Sequence, residues 1–349
     1  MWPRVLIAAV LSAGFLFAWQ KLDRIYIQVV GQPSVTGVVQ RQEQAFFEHL
    51  AADTGLPLVV SYTPNDQLGV KDTYQLLMLK SGALDLVSLR FLQNATTEPA
   101  LLGLDLLGVT SDIRTAHALV EAYSPILDRI LQKHFNSKLL GTWPFGPQVF
   151  FCGKRITGLK DLAGLKVRVG SENFEPLIAS QGGIPVVMPF EDVKDSLKNG
   201  LVDCAITSAT SGNAAGWPQY STHYFGLGMQ MGVNGYVVNL DLWNRLSERQ
   251  QALLESKLKE HVDSIWDSVE ALHKTMSSCN VGGACSRGIQ YELVNVTPSK
   301  ADYQRLSDTF EQTTFKDWAE KCDRVHPGCS DDWRKAVSPV LKTPPVKSR

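Results

Sequence analysis

The chain has 349 residues, 44% of them hydrophobic, and a formal net charge of −1. That length allows two domains. The near-neutral balance excludes the broad basic surface that nucleic acid or another polyanion requires, so function must rest on a local arrangement of side chains.

The chain opens Met1-Trp2-Pro3-Arg4 and continues as a largely apolar run from Val5 to Trp19. One positive charge ahead of about 15 apolar residues fits a secretory signal peptide, and the run is short of the ~20 residues of a spanning helix. Residues 1–20 are therefore read as a signal peptide. An uncleaved N-terminal anchor is the alternative, because Leu16 would stand bulky at −3 of a cleavage after Ala18. In both cases the bulk of the chain is exported.

Arg24 to Val30 reads as a strand with Ile25, Ile27 and Val29 on one face. Gln32-Pro33-Ser34 breaks it, and Val35, Val38, Val39, Gln42, Phe46 and Leu50 then keep helical spacing up to Gly55. A strand at Leu58 to Val60, a helix from about Asp72 to Lys80 and a strand at Leu84 to Ser88 follow. Strands alternating with helices predict a parallel sheet covered on both faces. Two helical segments are expected at about 112–123 and 124–135. Strands follow at 138–142 and 148–151, joined by a turn over Trp143 to Pro147.

From Gly158 to Thr207 the order is strand, helix, strand, helix, strand, with Arg168 near the end of the first strand. Lys198-Asn199-Gly200-Leu201-Val202-Asp203 repeats the pattern of Lys80-Ser81-Gly82-Ala83-Leu84-Asp85: a helix ends, glycine caps it, and an aspartate enters a buried strand. The echo points to two similar α/β lobes, with Asp85 and Asp203 as structural residues. Later strands are expected at 224–227 and 235–239. Ser247-Glu248-Arg249-Gln250 is a capping-box pattern. It opens a helix to about Ser278, long enough to lie along both lobes as a spine. A strand at 290–294 and a helical stretch at 299–318 precede a disordered tail, 336–349.

Six cysteines agree with export. Cys279 with Cys285, and Cys322 with Cys329, bracket short glycine-containing loops and are read as two local disulfides. A four-cysteine metal site is the alternative, disfavoured because zinc ligands prefer shorter gaps within each pair. Cys152 and Cys204 stand alone in strand-like contexts and are read as buried free thiols.

Lobe I is assigned residues 24–147 and 229–262, and lobe II residues 148–228 and 263–335. A chain that crosses, builds a second lobe and crosses back leaves a cleft onto which strand ends converge, and hinge closure is the motion expected of it. Gln32, Ser88, Arg90, Gln148, Arg168 and Thr207 lie at or near strand ends. Of these, Arg168, Gln148, Thr207, Ser88 and Gln32 are taken as ligand-binding candidates. Arg168 leads, because a guanidinium offers a planar fork of donors to a carboxylate. Trp143, Phe145 and Trp217 are candidates for an apolar wall. The seven histidines show no metal-binding spacing, and no nucleophile elbow or phosphate loop is present. Gly226-Leu227-Gly228 lacks the third glycine of a dinucleotide site. A binding protein without a cofactor is favoured over an enzyme.

The chain resembles the substrate-binding proteins of TRAP transporters, the DctP-type family. The likeness rests on Gln67-Leu68-Gly69, Gly82-Ala83-Leu84-Asp85-Leu86, the run Gly158 to Arg168, Met188-Pro189-Phe190-Glu191-Asp192-Val193, Gly200-Leu201-Val202-Asp203 and Trp243-Asn244-Arg245-Leu246-Ser247. It implies a bilobal periplasmic-binding-protein-like α/β fold and a periplasmic receptor that passes a small organic acid to membrane permease subunits. Arg168 matches the family's carboxylate-clamping arginine. Gln148 stands where the family often has a second arginine, and Thr207 where it often has asparagine. Both departures favour a monocarboxylate with a hydroxyl, keto or apolar remainder. A ligand-sensing receptor on the same fold and an exported enzyme are the alternative readings.

Overall fold

The computed structural model describes residues 24–69, 71–110 and 112–341. The expected signal peptide or anchor, 1–20, lies outside the described residues. So does the end of the expected tail, 342–349.

Three strands, β1 (Ile25–Gly31), β2 (Leu58–Pro64) and β3 (Leu86–Arg90), are parallel and joined through helices, as the alternation predicts. The sheet is not wholly parallel, because β4 (Ser137–Pro144) and the strand that returns to it later run beside each other in opposite senses. The chain then crosses through Phe145-Gly146-Pro147 into β5 (Gln148–Cys152), which opens a second sheet with β6 (Lys166–Val169), β7 (Ile184–Val187), β8 (Cys204–Ser208) and β9 (His223–Phe225). It returns to the first sheet in β10 (Val233–Asn239) and to the second in β11 (Val294–Val296). The orders are β2-β1-β3-β10-β4 and β11-β9-β5-β8-β6-β7. The result is a two-lobed α/β fold.

The echo between the lobes has a physical counterpart. The Asp85 carboxylate accepts from the Gln28 amide at 2.9 Å, and the Asp203 carboxylate accepts from the Lys166 amide, also at 2.9 Å. Each ties a strand start to its neighbour, just after a glycine (82 or 200) in the left-handed region.

Alternation along β5 sends Phe150 and Cys152 into one apolar layer and Val149 and Phe151 into the other, so helices cover both faces of the second sheet. The helix Glu248–Asn280 is the expected spine. Ser247 and Gln250 form its capping box. Its side chains from Leu254 to Val269 pack in the first-lobe core, and Met276 and Cys279 pack in the second.

Several expectations need correcting. Cys152 and Cys204 are not free thiols. They face each other in the antiparallel β5–β8 register and form a disulfide. Sequence spacing hides this pair, because 52 residues separate partners that only strand pairing brings together. Cys279–Cys285 and Cys322–Cys329 are bridged as expected. The two helical segments are one helix, Ile113–Phe135, which runs through Pro125. Its apolar stripe, Leu119, Tyr123, Leu127 and Leu131, is buried on both sides of the proline and offsets the lost backbone bond.

The strand expected at 290–294 is displaced to β11. Its predecessors Tyr291 and Leu293 donate backbone N–H groups to the end of the spine helix, at Cys279 and Asn280. Residues 263–335 do not all belong to the second lobe. Trp318 and Trp333 sit in the first-lobe core, their indole N–H groups donating to Pro99 O (2.9 Å) and Gly103 O (2.6 Å). An amphipathic pattern says that a helix face is buried but not against which lobe. Residues 336–341, expected to be disordered, complete the helix Cys329–Leu341, with Val337 fully buried.

The two crossing segments lie side by side. Phe145 and Gly146 donate to Gly232 O (3.1 Å) and Met231 O (2.9 Å), and Gln148 donates to Gln230 O (2.8 Å). Asp105 fastens the returning segment, its carboxylate accepting from the amides of Met231 (2.8 Å), Gly232 (2.6 Å) and Val233 (3.0 Å). Burial pushes the Asp105 carboxyl up to about 6, against the pull of these three donors.

A folded-state value above the unfolded one means that this group's contribution is complete below about pH 4 and is lost as pH rises to about 6. Urea unfolding at pH 4.5 and 6.5 is expected to show a falling contribution, about 2 kcal/mol, that D105N removes. Identical pH slopes in parent and variant would contradict it. At neutral pH, D105N is expected to be less stable than the parent, because an amide replaces one of two acceptor oxygens with a donor.

Candidate functional site

Arg168 is the third residue of the four-residue β6, near the carboxyl edge of the second sheet. Its side chain is buried, with 3% exposure. Nε and Nη2 donate to Met188 O at 3.0 and 2.8 Å, and Nη1 donates to Ile206 O at 3.0 Å. Three of the five guanidinium N–H groups are thus spent on backbone carbonyls, leaving one on each Nη. The guanidinium lies 5.6 Å from the Trp217 ring centroid and 6.0 Å from that of Phe190. These contacts fix its plane and direction.

The electrostatics are unusual for a buried cation. Glu191 and Asp192, the acidic groups it feels, are both solvent-exposed, and no carboxylate pairs with it among the described residues. Burial, reinforced by the like charge of Arg90, lowers the guanidinium to about 9. It stays protonated at neutral pH but is poorly compensated, and an incoming anion relieves that cost.

Arg168 opens onto a cleft between the two sheets. The second lobe adds Thr207, from the end of β8, and the rings of Phe174 and Phe190; the crossing segments add Phe145 and Gln148; the first lobe adds Thr36, Arg90 and Asn234. Gly170 lines the cleft beside the guanidinium, and a Cβ there would stand in ordinary van der Waals contact with Nη2, at 3.8 Å. Gly232 lies in the left-handed region (φ +64°), and a Cβ on it would come within 2.5 Å of Gln148 Nε2. That glycine lets the Gln148 side chain lie across the crossing segments, where its Nε2 donates to Gly146 O at 2.9 Å.

Of the eight residues singled out from the sequence, Arg168, Gln148, Thr207 and Phe145 line this cleft. Gln32, Ser88, Trp143 and Trp217 do not. Gln32 and Ser88 bond to each other inside the first lobe: Gln32 Nε2 reaches Ser88 O at 2.9 Å and Ser88 Oγ at 3.0 Å. The Gln32 amide donates to the buried Glu43 carboxylate, which burial pushes up from its usual range. Trp143 is core, edge-on against Phe145. Trp217 sits behind Arg168 and supports it without facing the cleft. Small polar residues at strand ends share a sequence signature whether they point into a cleft or back into a lobe.

Arg90 and Asn234 are the main residues missed. Arg90 was visible as a strand-end cation. Asn234 gave no signal, because its place depends on β10 pairing with β3 (Asn234 opposite Arg90). Among the described residues no cluster of metal-ligating side chains occurs. No described helix is long and apolar enough to cross a membrane.

The sequence model of bacterial extracellular solute-binding protein family 7 (DctP) matches residues 36–285. Solved structures share the fold at low identity. A Bordetella pertussis extracytoplasmic solute receptor binding pyroglutamic acid is 16% identical, with a TM-score of 0.78, over 90% of this chain and 99% of that one. A Desulfovibrio salexigens TRAP periplasmic solute-binding protein with bound orotic acid is 15% identical, with a TM-score of 0.79, over 91% and 100%. A Rhodoferax ferrireducens TRAP protein with bound malonate is 16% identical, with a TM-score of 0.76, over 90% and 98%.

The Gly232 geometry makes a direct prediction. Gly232→Ala combines a disfavoured backbone with a clash on Gln148 and should lower stability by about 1–2 kcal/mol or more, measured by denaturant unfolding. An unchanged midpoint would show that the crossing segment relaxes freely.

Proposed function

Because this chain belongs to the bacterial extracellular solute-binding protein family 7, we propose that it is the periplasmic receptor of a TRAP transporter, capturing a small monocarboxylate and passing it to the membrane permease subunits. The observation that carries this reading is the Arg168 guanidinium, buried, held by three backbone hydrogen bonds and without a carboxylate partner among the described residues. Its two remaining N–H groups suit the two oxygens of one carboxylate. The rings of Phe145, Phe174 and Phe190 suit a compact, partly apolar body, and Gln148, Thr207 and Asn234 suit its neutral polar groups.

Binding proceeds by closure of the two lobes about the crossing segments. Closure excludes water and strengthens the ion pair. Release follows when the permease favours the open form. Among the described residues, the side chains lining the cleft include no carboxylate, histidine or cysteine, and the proposed role needs no cofactor. The structures with pyroglutamate, orotate and malonate support a small organic acid as the ligand class, and the preference for one carboxylate rests on the single unpaired guanidinium.

Isothermal titration of the purified protein with pyroglutamate and orotate, followed by a wider set of small monocarboxylates, tests the reading. Arg168→Gln is expected to weaken the acid that binds by about 30-fold or more, a loss of about 2–5 kcal/mol. Arg168→Lys should recover only part of this, because a point charge replaces the fork. Undiminished affinity in a folded Arg168→Gln protein would refute the assignment.

A further inference from the structure

Arg90 ends β3 on the first-lobe side of the cleft and is 7% exposed. Unlike Arg168, it has a counter-ion: its Nη1 lies 2.5 Å from Asp72 Oδ2. Asp72 is itself held from behind. Asn65 Nδ2 donates to its other oxygen, and Gln75 Nε2 donates to Asn65 Oδ1 at 2.6 Å. Asp72, Asn65 and Gln75 do not line the cleft. Both members of the ion pair are largely buried, with side-chain exposures of 8% and 13%. The cleft is thus faced by two guanidiniums, one unpaired and one neutralised from the rear, and their sum with Asp72 is a single positive charge.

We propose that Asp72 is a specificity-determining residue that sets the charge of the accepted ligand at one by occupying Arg90. The proposal rests on the reading of Arg168 as the carboxylate clamp. A monocarboxylate on Arg168 leaves the closed cleft electrically balanced. A second carboxylate on the same ligand would meet Arg90 already satisfied and would bring a negative charge towards that of Asp72. Like charges brought together in a desolvated cleft discriminate strongly between ligands. Arg90 in its pair can still donate from its unused N–H groups to a neutral carbonyl or hydroxyl.

The test compares one monoanion and one dianion on three proteins: the parent, Asp72→Asn, and Asp72→Asn combined with Arg90→Gln. Pyroglutamate and malonate are the probes, with titration calorimetry as the measurement and a thermal melt as the check of folding. In the parent, pyroglutamate is expected to bind and malonate to bind at least tenfold more weakly. Asp72→Asn frees Arg90 and should improve malonate binding about tenfold or more while changing pyroglutamate binding by less than about threefold. The added Arg90→Gln should abolish the gain. Asp72→Ser, smaller and still able to accept from Asn65, takes the place of Asp72→Asn if that variant does not fold.

A parent that binds pyroglutamate, with variants that gain nothing for malonate, overturns the role of Asp72 and leaves the Arg168 clamp intact. A parent that binds malonate as tightly as pyroglutamate overturns it too. Binding of neither probe, nor of any other carboxylate, by any of the proteins overturns the clamp and, with it, the selector.

Discussion

A guanidinium enclosed by backbone carbonyls and aromatic rings, with no carboxylate paired to it among the described residues, is the constraint around which this molecule is arranged. Burying a charge is costly unless it is paired or well hydrogen-bonded. Here Met188 O and Ile206 O accept its hydrogen bonds, and in the proposed function a ligand supplies the pairing. The surrounding features follow from holding that cation still. β6 delivers it and Trp217 backs it. The two donors it keeps free are oriented before any guest arrives, so less freedom is lost on binding.

The second requirement is that the halves of the cleft can approach without losing register. Two antiparallel crossing segments and one long helix provide the links, and Asp105 fastens the segment that returns. Three backbone donors on one carboxylate hold the Met231 to Val233 turn in shape. The third link is rooted deeply at both ends: Trp266 donates its indole N–H to Thr142 O in the first lobe, and Asn280 Nδ2 reaches Ala209 O in the second.

Much of this could be read in the amino-acid order, and the limits are physical. Arg168 could be found because its strand, its neighbouring glycines and its motif all point one way. The strand-helix alternation, the spine helix and its capping box were equally legible, since each depends on residues close in sequence. What escaped depends on pairing across the fold. Cys152 and Cys204 meet only because β5 runs antiparallel to β8. Asn234 reaches the cleft only through the β10–β3 register. Gln32 and Ser88 carry the same small-polar signature as Thr207 but turn inward to each other. Trp318 and Trp333 are plainly apolar-face residues, yet only the tertiary structure shows that they return to the first lobe.

The Cys152–Cys204 bridge has a mechanical meaning. It joins the strand that begins at Gln148 to the strand that carries Thr207, at the end of each remote from the cleft. Sliding of one strand past the other is thereby blocked by a covalent bond. That tie holds the β5–β8 register, and with it the spacing of Gln148 and Thr207 at the other end of the two strands. In the proposed binding cycle, the part of the cleft that these two residues line is therefore set by the fold before a guest enters.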